Sequence, residues 1–149
     1  MKTNISKFII TIFILNSVLL IGQVEKKWNT KVEHYSGGVI LSGIIDVAEK
    51  KCEKLKPIGK DVSVSFDQLY QIYKIEWSGV DGWKELKLEF VEKNSEGNLF
   101  IDLDAKDDKV YYYVDDQILQ NHKLYITGTR KVIVQGKEYQ RIIMCDDLN

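Results

Sequence analysis

Residues 69–92, LYQIYKIEWSGVDGWKELKLEFVE, carry the clearest structural pattern in this chain of 149 residues. Tyr73 and Ile75 alternate with charged residues in the first half, and Leu86, Leu88 and Phe90 do so in the second. Successive side chains of a strand point to opposite faces, so the alternation predicts two strands with one buried face each. The glycines and the aspartate between the halves suit a tight reversal. We therefore predict an antiparallel hairpin with these five residues in the core.

The chain after Gly59 repeats this pattern. Apolar residues alternate with polar ones between turn sequences such as Asn94–Gly97, at intervals of about 8–12 residues. A two-residue turn at Gln135-Gly136 would place Val132 opposite Tyr139 in the last hairpin. The spacing predicts a mainly β fold, a single antiparallel meander of about eight strands. We expect it to be closed or nearly closed into a barrel, because closure leaves no exposed strand edge.

One segment near the start of the mature chain has helical spacing instead. Its apolar residues recur every three or four positions, at Ile44, Ala48, Cys52 and Leu55. Asp46 followed by Glu49 resembles the capping box of a helix N-terminus. In an alternative interpretation Val39–Ile45 is a buried strand and only Asp46–Leu55 is helical. Both versions add one short N-terminal helix to the barrel.

The N-terminus has the organisation of a secretory signal peptide. Lys2 and Lys7 are followed by a mainly apolar run, Phe8–Ile21, and then by a small residue. This predicts a signal peptide over residues 1–22 and a single β-rich domain over residues 23–149, located outside the cell or in the periplasm. The apolar run is shorter than the roughly 20 residues that span a bilayer. We expect no membrane contact after cleavage, and an uncleaved anchor is the alternative.

Charge and cysteine content limit the function classes. The formal net charge is −1, and loss of the signal peptide makes the domain more acidic. Nucleic-acid binding requires a basic face, so it is not expected. In an exported protein the pair Cys52 and Cys145 indicates a disulfide, with two separate buried thiols as the alternative. No histidine lies at ligand spacing from either cysteine, so we expect no metal or cofactor.

Catalytic motifs are not evident in the sequence. His34 and His122 are isolated, and there is no Gly-x-Ser-x-Gly elbow, phosphate loop or dinucleotide fingerprint. The acidic segment Asp102–Asp108 departs from a calcium-binding loop at several positions and is predicted to be a solvated turn. We expect a protein that is not an enzyme. A hydrolase that uses scattered Asp, Glu and His residues is the weakest alternative.

Aromatic residues carry the functional prediction. Alternation gives Tyr111-Tyr112-Tyr113 rings on both faces of one strand, and if Tyr112 points inward its two neighbours point outward. The predicted ligand-binding residues are Trp83, Tyr111, Tyr113, Asp115 and Asp116. We expect an exported domain that binds a small polar or hydrophobic ligand. The alternative is a protein-interaction or inhibitor domain that acts in the cell envelope or outside the cell.

The overall layout resembles a small lipocalin-type barrel. An export signal, one early helix and a meander of about eight strands occur in the same order. Lipocalin-type chains usually begin the barrel with Gly-x-Trp, whereas here Lys26 and Lys27 precede Trp28. The resemblance concerns architecture, so it implies a barrel and does not identify a ligand.

Overall fold

Nine antiparallel strands and one short helix make up residues 32–149, which are the part of the chain described by this computed structural model. The strands are β1 (Val32–Ser36), β2 (Val39–Asp46), β3 (Lys51–Asp67), β4 (Ile72–Gly79), β5 (Gly82–Asn94), β6 (Gly97–Asp102), β7 (Tyr111–Gln117), β8 (Lys123–Val134) and β9 (Lys137–Asp146). Helix α1 (Ile118–Asn121) is a single turn between β7 and β8. The predicted signal peptide, its cleavage site and Trp28 lie outside the described residues.

The strands form one sheet that curls into a nearly closed ring. Each strand from β2 to β8 pairs with the next, and β9 pairs with β2. β1 continues the line of β2 along β3, with Gly37 and Gly38 between them. A Cβ on Gly38 would lie 1.8 Å from the carbonyl oxygen of Asp146, so only glycine permits this close passage. The predicted mainly β meander, closed or nearly closed, is therefore confirmed.

The barrel interior is built on the predicted hairpin. Tyr73 lies opposite Leu88 and Ile75 opposite Leu86, and all four are at most 8% exposed. Phe90 packs against them from a half-buried position. The other strands contribute buried residues to the same cluster, among them Val62, Val64, Phe100, Tyr112, Val114, Leu124, Ile126 and Ile143. The register predicted for this hairpin is confirmed, and its alternating residues fill the core.

The predicted N-terminal helix is wrong. The chain forms β2 up to Asp46, as in the alternative interpretation, but it then reverses within four residues into β3. The Asp46 carboxylate accepts hydrogen bonds from the N–H groups of Ala48 and Glu49, each at 3.0 Å, as a helix N-cap would. Lys50 then adopts a left-handed backbone, with φ of 51°, and ends the turn. The pairing of β2 with both β3 and β9 outweighs the helical spacing of the apolar residues.

The predicted disulfide is also wrong, because Cys52 and Cys145 are both free thiols. Ile45 lies opposite Cys52 on one side and opposite Gln140 on the other, whereas Cys145 lies opposite Ile40. The two cysteines are therefore five steps apart along the strands, roughly 16 Å. A disulfide requires Cα atoms within about 7 Å. Cys145 is fully buried in the interior, and this burial raises the pKa of its thiol to about 12.

Candidate functional site

A groove of about 690 Å³ on the outer surface of the barrel is the candidate site. Small-molecule sites typically enclose about 300–1,000 Å³, so its size suits a small ligand. The β2–β3 turn and the β5–β6 turn contribute to it, together with residues of β7, β8 and β9. The lining residues that matter most for recognition are Ile45, Val47, Lys50, Tyr113, Asp115 and Lys131. These residues are distant in sequence and are brought together by strand pairing, since Tyr113 lies opposite Thr127 of β8 and Ile45 opposite Gln140 of β9.

Tyr113 supplies the aromatic surface of the groove. On β7, Tyr112 and Val114 point into the core, so Tyr113 between them points outward and is half-buried. Its hydroxyl oxygen accepts a hydrogen bond from the side-chain amide of Asn94 at 3.2 Å. A Cβ on Gly97 would lie 3.8 Å from the Tyr113 ring, so the β5–β6 turn packs against it. The ring is thus held in place on one side and accessible on the other.

Aliphatic residues of the β2–β3 turn supply a second apolar surface. Ile45, at the end of β2, lies opposite Gln140 of β9, and both residues line the groove. The N–H of Val47 donates a hydrogen bond to the carbonyl oxygen of Glu138 at 3.0 Å, which ties the turn to β9. Ile45 and Val47 are half-buried in the ligand-free protein. A ligand that covered them would remove further apolar area from water, at roughly 25 cal/mol per Å².

Charged groups of opposite sign flank these apolar surfaces. Lys50 and Lys131 lie toward the β2–β3 turn and β8, whereas Asp115 and Glu96 lie toward β7 and the β5–β6 turn. The Lys131 ammonium is 3.6 Å from a carboxylate oxygen of Glu138, and both side chains are about half exposed. Such exposed pairs contribute little free energy, so Lys131 can exchange this partner for a ligand anion at small cost.

Asp46 also lines the groove, but its carboxylate is committed to the turn. It is 2% exposed, and its second oxygen lies 3.6 Å from the ammonium of Lys137. The hydrogen bond from the N–H of Glu49 lowers the pKa of Asp46, and the N–H of Ala48 and the charge of Lys137 lower it further. Asp46 is therefore a carboxylate that stabilises the turn and is not an available contact for a ligand.

Asp116, predicted as a ligand contact, instead has two partners within the fold. The Tyr73 hydroxyl donates a hydrogen bond to it at 2.5 Å, and its other oxygen accepts from the N–H of Ile118 at 3.0 Å. Burial raises the pKa of Tyr73, and the hydrogen bond to Asp116 raises it further. Asp116 thus joins the barrel interior to helix α1, away from the lining of the groove.

Trp83 and Tyr111 also lie outside the groove lining. Trp83, at the start of β5, is 70% exposed and lies opposite Ser78. Tyr113 is aligned through β6 with Glu92, nine residues further along β5, so the two aromatic rings are roughly 30 Å apart along the strands. Tyr111 shares the outward face of β7 with Tyr113 and is half-buried beside Ile101. Of the five predicted residues, the groove contains Tyr113 and Asp115.

Sequence analysis missed the residues that the groove takes from the β2–β3 turn and from β8. Val47 and Lys50 fell within the predicted helix, and Lys131 was considered only as part of a hairpin. No local pattern relates these residues to Tyr113, because the relation arises from the pairing of β2 with β9. The prediction of a closed meander could have suggested that the first and last strands meet, but it contained no register.

Among residues 32–149 no three His, Cys, Asp or Glu side chains converge as metal ligands. The ring nitrogen Nδ1 of His122 lies 2.8 Å from the carbonyl oxygen of Leu148, and neither residue lines the groove. Within the same range no helix is long and apolar enough to cross a membrane.

Comparison of this chain with protein-family models, curated proteins and solved structures gave no match. Inference about function therefore rests on the residues and geometry described above.

Proposed function

We propose that this chain is an exported, non-enzymatic β domain that binds a small molecule in the outer groove. The observation that carries the proposal is the convergence of Tyr113 with Ile45 and Val47, between basic and acidic side chains. This arrangement suits a ligand with a planar or apolar body and polar ends. Its body would pack between the tyrosine ring and the aliphatic surface. Its cationic end would face Asp115, and its anionic end would face Lys50.

The aromatic and the charged contacts would contribute differently to affinity and to ligand orientation. Aromatic stacking contributes about 0.5–1.5 kcal/mol beyond the burial of area, so Tyr113 would supply much of the affinity. Exposed charges contribute less free energy but fix the orientation of a ligand, because each end is attracted to only one side. Export, which the N-terminal sequence pattern supports, would make an extracellular or periplasmic small molecule the target.

The packing of the barrel interior supports an outer site. Ile75, Leu88 and Leu124, from three different strands, are fully buried in the same cluster. Protein interiors are packed as densely as organic crystals, which favours a site on the outer wall of the barrel. The resemblance to lipocalin-type barrels is part of the proposal only as architecture, with the site on the outside of the wall.

The proposal is tested by a two-dimensional NMR fragment screen with the ¹⁵N-labelled protein. The fragments are aromatic zwitterions, aromatic amines and aromatic acids. Zwitterions are expected to shift the amide signals of Tyr113, Thr127 and Gln140 most strongly. Tyr113→Ala should weaken the affinity of the hits about tenfold, the equivalent of about 1.4 kcal/mol.

Tyr111→Ala is the matched control, since it removes the same ring from the same face of β7 at a position outside the groove. Its affinities should remain within twofold of those of the wild type. The proposal is contradicted by hits that map elsewhere on the barrel, or by equal losses in the two tyrosine variants.

A further inference from the structure

Strand β8 extends beyond the wall of the barrel. It pairs with β7 only from Lys123 to Gly128, and the hairpin register with β9 shifts between Thr127 and Lys131. After this shift, Lys131–Val134 pairs with β9 alone. On the opposite edge of these residues no strand and no backbone hydrogen bond is found within residues 32–149. The outer part of β8 is therefore an open strand edge.

This open edge carries apolar side chains and ends in a tight turn. Val132, Ile133 and Val134 are 59%, 71% and 52% exposed, three successive residues of high β propensity. The turn after them consists of Gln135 and Gly136, with φ of 50° and 79°, which fits the mirror-image turns that keep hairpin strands paired. Proteins usually protect an open edge with charges, proline or a covering element, and an unprotected apolar edge pairs with another strand.

We propose that this edge pairs in antiparallel fashion with the same edge of a second copy of the chain. Pairing centred on Val132 places Val132 opposite its own counterpart, Lys131 opposite Ile133, and Arg130 opposite Val134. No two charges of the same sign lie directly opposite each other, and the aliphatic stems of the basic residues cover the opposing apolar side chains. A twofold axis thereby satisfies both open edges with a single set of contacts.

The ionic contacts around the hairpin permit this pairing. Arg130 lies 3.6 Å from Asp108, and Lys131 lies 3.6 Å from Glu138, and all four side chains are about half exposed or more. Contacts of this kind contribute at most about 1 kcal/mol each and can rearrange. The paired segment is short, so the interface is small compared with the 1,200–2,000 Å² of stable complexes. The association is therefore weak and depends on concentration. Because Lys131 also lines the groove, the association is measured without added ligand.

Sedimentation equilibrium of the purified protein, from micromolar to millimolar concentration, measures the association. The mean mass of the wild type should rise toward twice that of the monomer. Ile133→Lys, which brings two lysines opposite each other, should keep the mass monomeric throughout. Val80→Lys is the matched control, because it adds the same charge at a fully exposed valine of the β4–β5 turn and should dimerise like the wild type.

A charge-pairing variant tests the register. Ile133→Lys combined with Lys131→Glu places opposite charges across both symmetric contacts and should restore the dimer. Circular dichroism verifies that each variant is folded. A wild type that stays monomeric at millimolar concentration overturns the proposal, as does equal dimerisation of Ile133→Lys or failure of the double variant to recover the dimer.

Discussion

The β4–β5 and β8–β9 hairpins share a loop length but differ in turn conformation and in what their side chains contact. Both turn residues of β8–β9, Gln135 and Gly136, have positive φ, whereas in β4–β5 positive φ falls on Gly82, the first residue of β5. In β4–β5 the alternate residues, such as Ile75 and Leu88, are fully buried. In the outer half of β8–β9, residues 131–138 are all exposed. A hairpin with a two-residue reversal therefore exists in this protein both with and without a core beneath it.

The difference lies in the side-chain pattern. Charged residues alternate with apolar ones in β4–β5, and this alternation marks one face toward a core and one toward water. Val132, Ile133 and Val134 are consecutive, so apolar side chains emerge on both faces of the β8–β9 ribbon. Turn residues and β propensity specify a hairpin, whereas alternation specifies burial. The first hairpin stabilises the barrel, and the second offers a surface to a partner.

The largest expected contrast concerns equal truncations of an aliphatic side chain in the two hairpins. Leu88→Ala removes buried carbon atoms and should lower the free energy of unfolding by about 2–5 kcal/mol. Ile133→Ala removes exposed atoms and should change it by about 0.5 kcal/mol or less. Chemical denaturation at low micromolar concentration measures both in the monomer.

The neighbouring change Lys87→Ala is a control for the register of β5. Lys87 is on the outer face, 2.8 Å from a carboxylate oxygen of Glu85, and its loss should cost about 0.5 kcal/mol. A cost for Lys87→Ala as large as that for Leu88→Ala would place the wrong residues in the core. Similar costs for Leu88→Ala and Ile133→Ala would remove the contrast between the hairpins.

At alkaline pH the free energy of unfolding should fall, because the β4–β5 hairpin buries the ionisable side chain of Tyr73. Burial and the hydrogen bond to Asp116 raise the pKa of Tyr73 above that of an unfolded tyrosine, about 10. The protonated hydroxyl therefore contributes stability fully below pH 10, and the contribution is lost as the pH rises toward the native pKa. Above pH 10 this group alone lowers the unfolding free energy by up to about 1.4 kcal/mol per pH unit.

Tyr73→Phe should make this alkaline decline shallower by about that amount. Urea denaturation at intervals from pH 8 to pH 11 measures the slope. Asp116→Asn, which removes the charged acceptor but leaves the tyrosine buried, should retain the decline, because burial alone still raises the pKa of Tyr73. An unchanged slope in Tyr73→Phe would show that Tyr73 does not resist ionisation in the folded protein.

The smallest contrast is expected between Gly82, at the start of β5, and Gly136 in the β8–β9 turn. A Cβ at Gly82 or Gly136 would meet no atom within 4 Å, so substitution acts only through the backbone conformation. Gly82→Ala should lower the global free energy of unfolding by roughly 1 kcal/mol. Gly136→Ala should change it by less than about 0.5 kcal/mol, because the tip can loosen without opening the core.

Amide hydrogen exchange distinguishes the two responses. In Gly136→Ala, faster exchange should be confined to the tip of β8–β9. In Gly82→Ala, exchange should accelerate throughout the core strands. Faster exchange across the whole barrel in Gly136→Ala would mean that the outer hairpin is coupled to the core.

Sequence reasoning recovered the parts of the fold that local chemistry encodes. Alternation correctly predicted that Tyr73 and Leu88 point into the core. The two-residue turn correctly predicted that Val132 lies opposite Tyr139. The helix prediction was wrong from Asp46 onward. The first hydrogen bonds after Asp46 are the same in a helix N-cap and in a tight turn, so the sequence pattern does not distinguish them. Only contacts with distant strands decide between them. The disulfide prediction was wrong because the distance between the cysteines depends on the register of β2 with β9, which no local sequence pattern determines.

At the candidate site the sequence indicated side-chain directions but no contacts between distant strands. The outward directions of Tyr113 and Asp115 followed from the buried position of Tyr112, which alternation fixes. The contact of Asp116 with Tyr73 was not predicted, because Tyr73 lies 43 residues earlier and no pattern within β7 indicates it. Lys50 was missed because its place beside β7 depends on the closing of the ring.

Because Cys145 is buried, the reaction rate of its thiol depends on how often the barrel opens. Only a thiolate reacts quickly with disulfide reagents, and a solvent-excluded thiol must first become accessible. Cys52, half-buried on β3, and Cys145 in the core should therefore be labelled in two separate kinetic phases. The rate of the slow phase should report how often β9 separates from its neighbouring strands and exposes Cys145. The two native thiols therefore allow the opening rate of the barrel to be measured without an introduced probe.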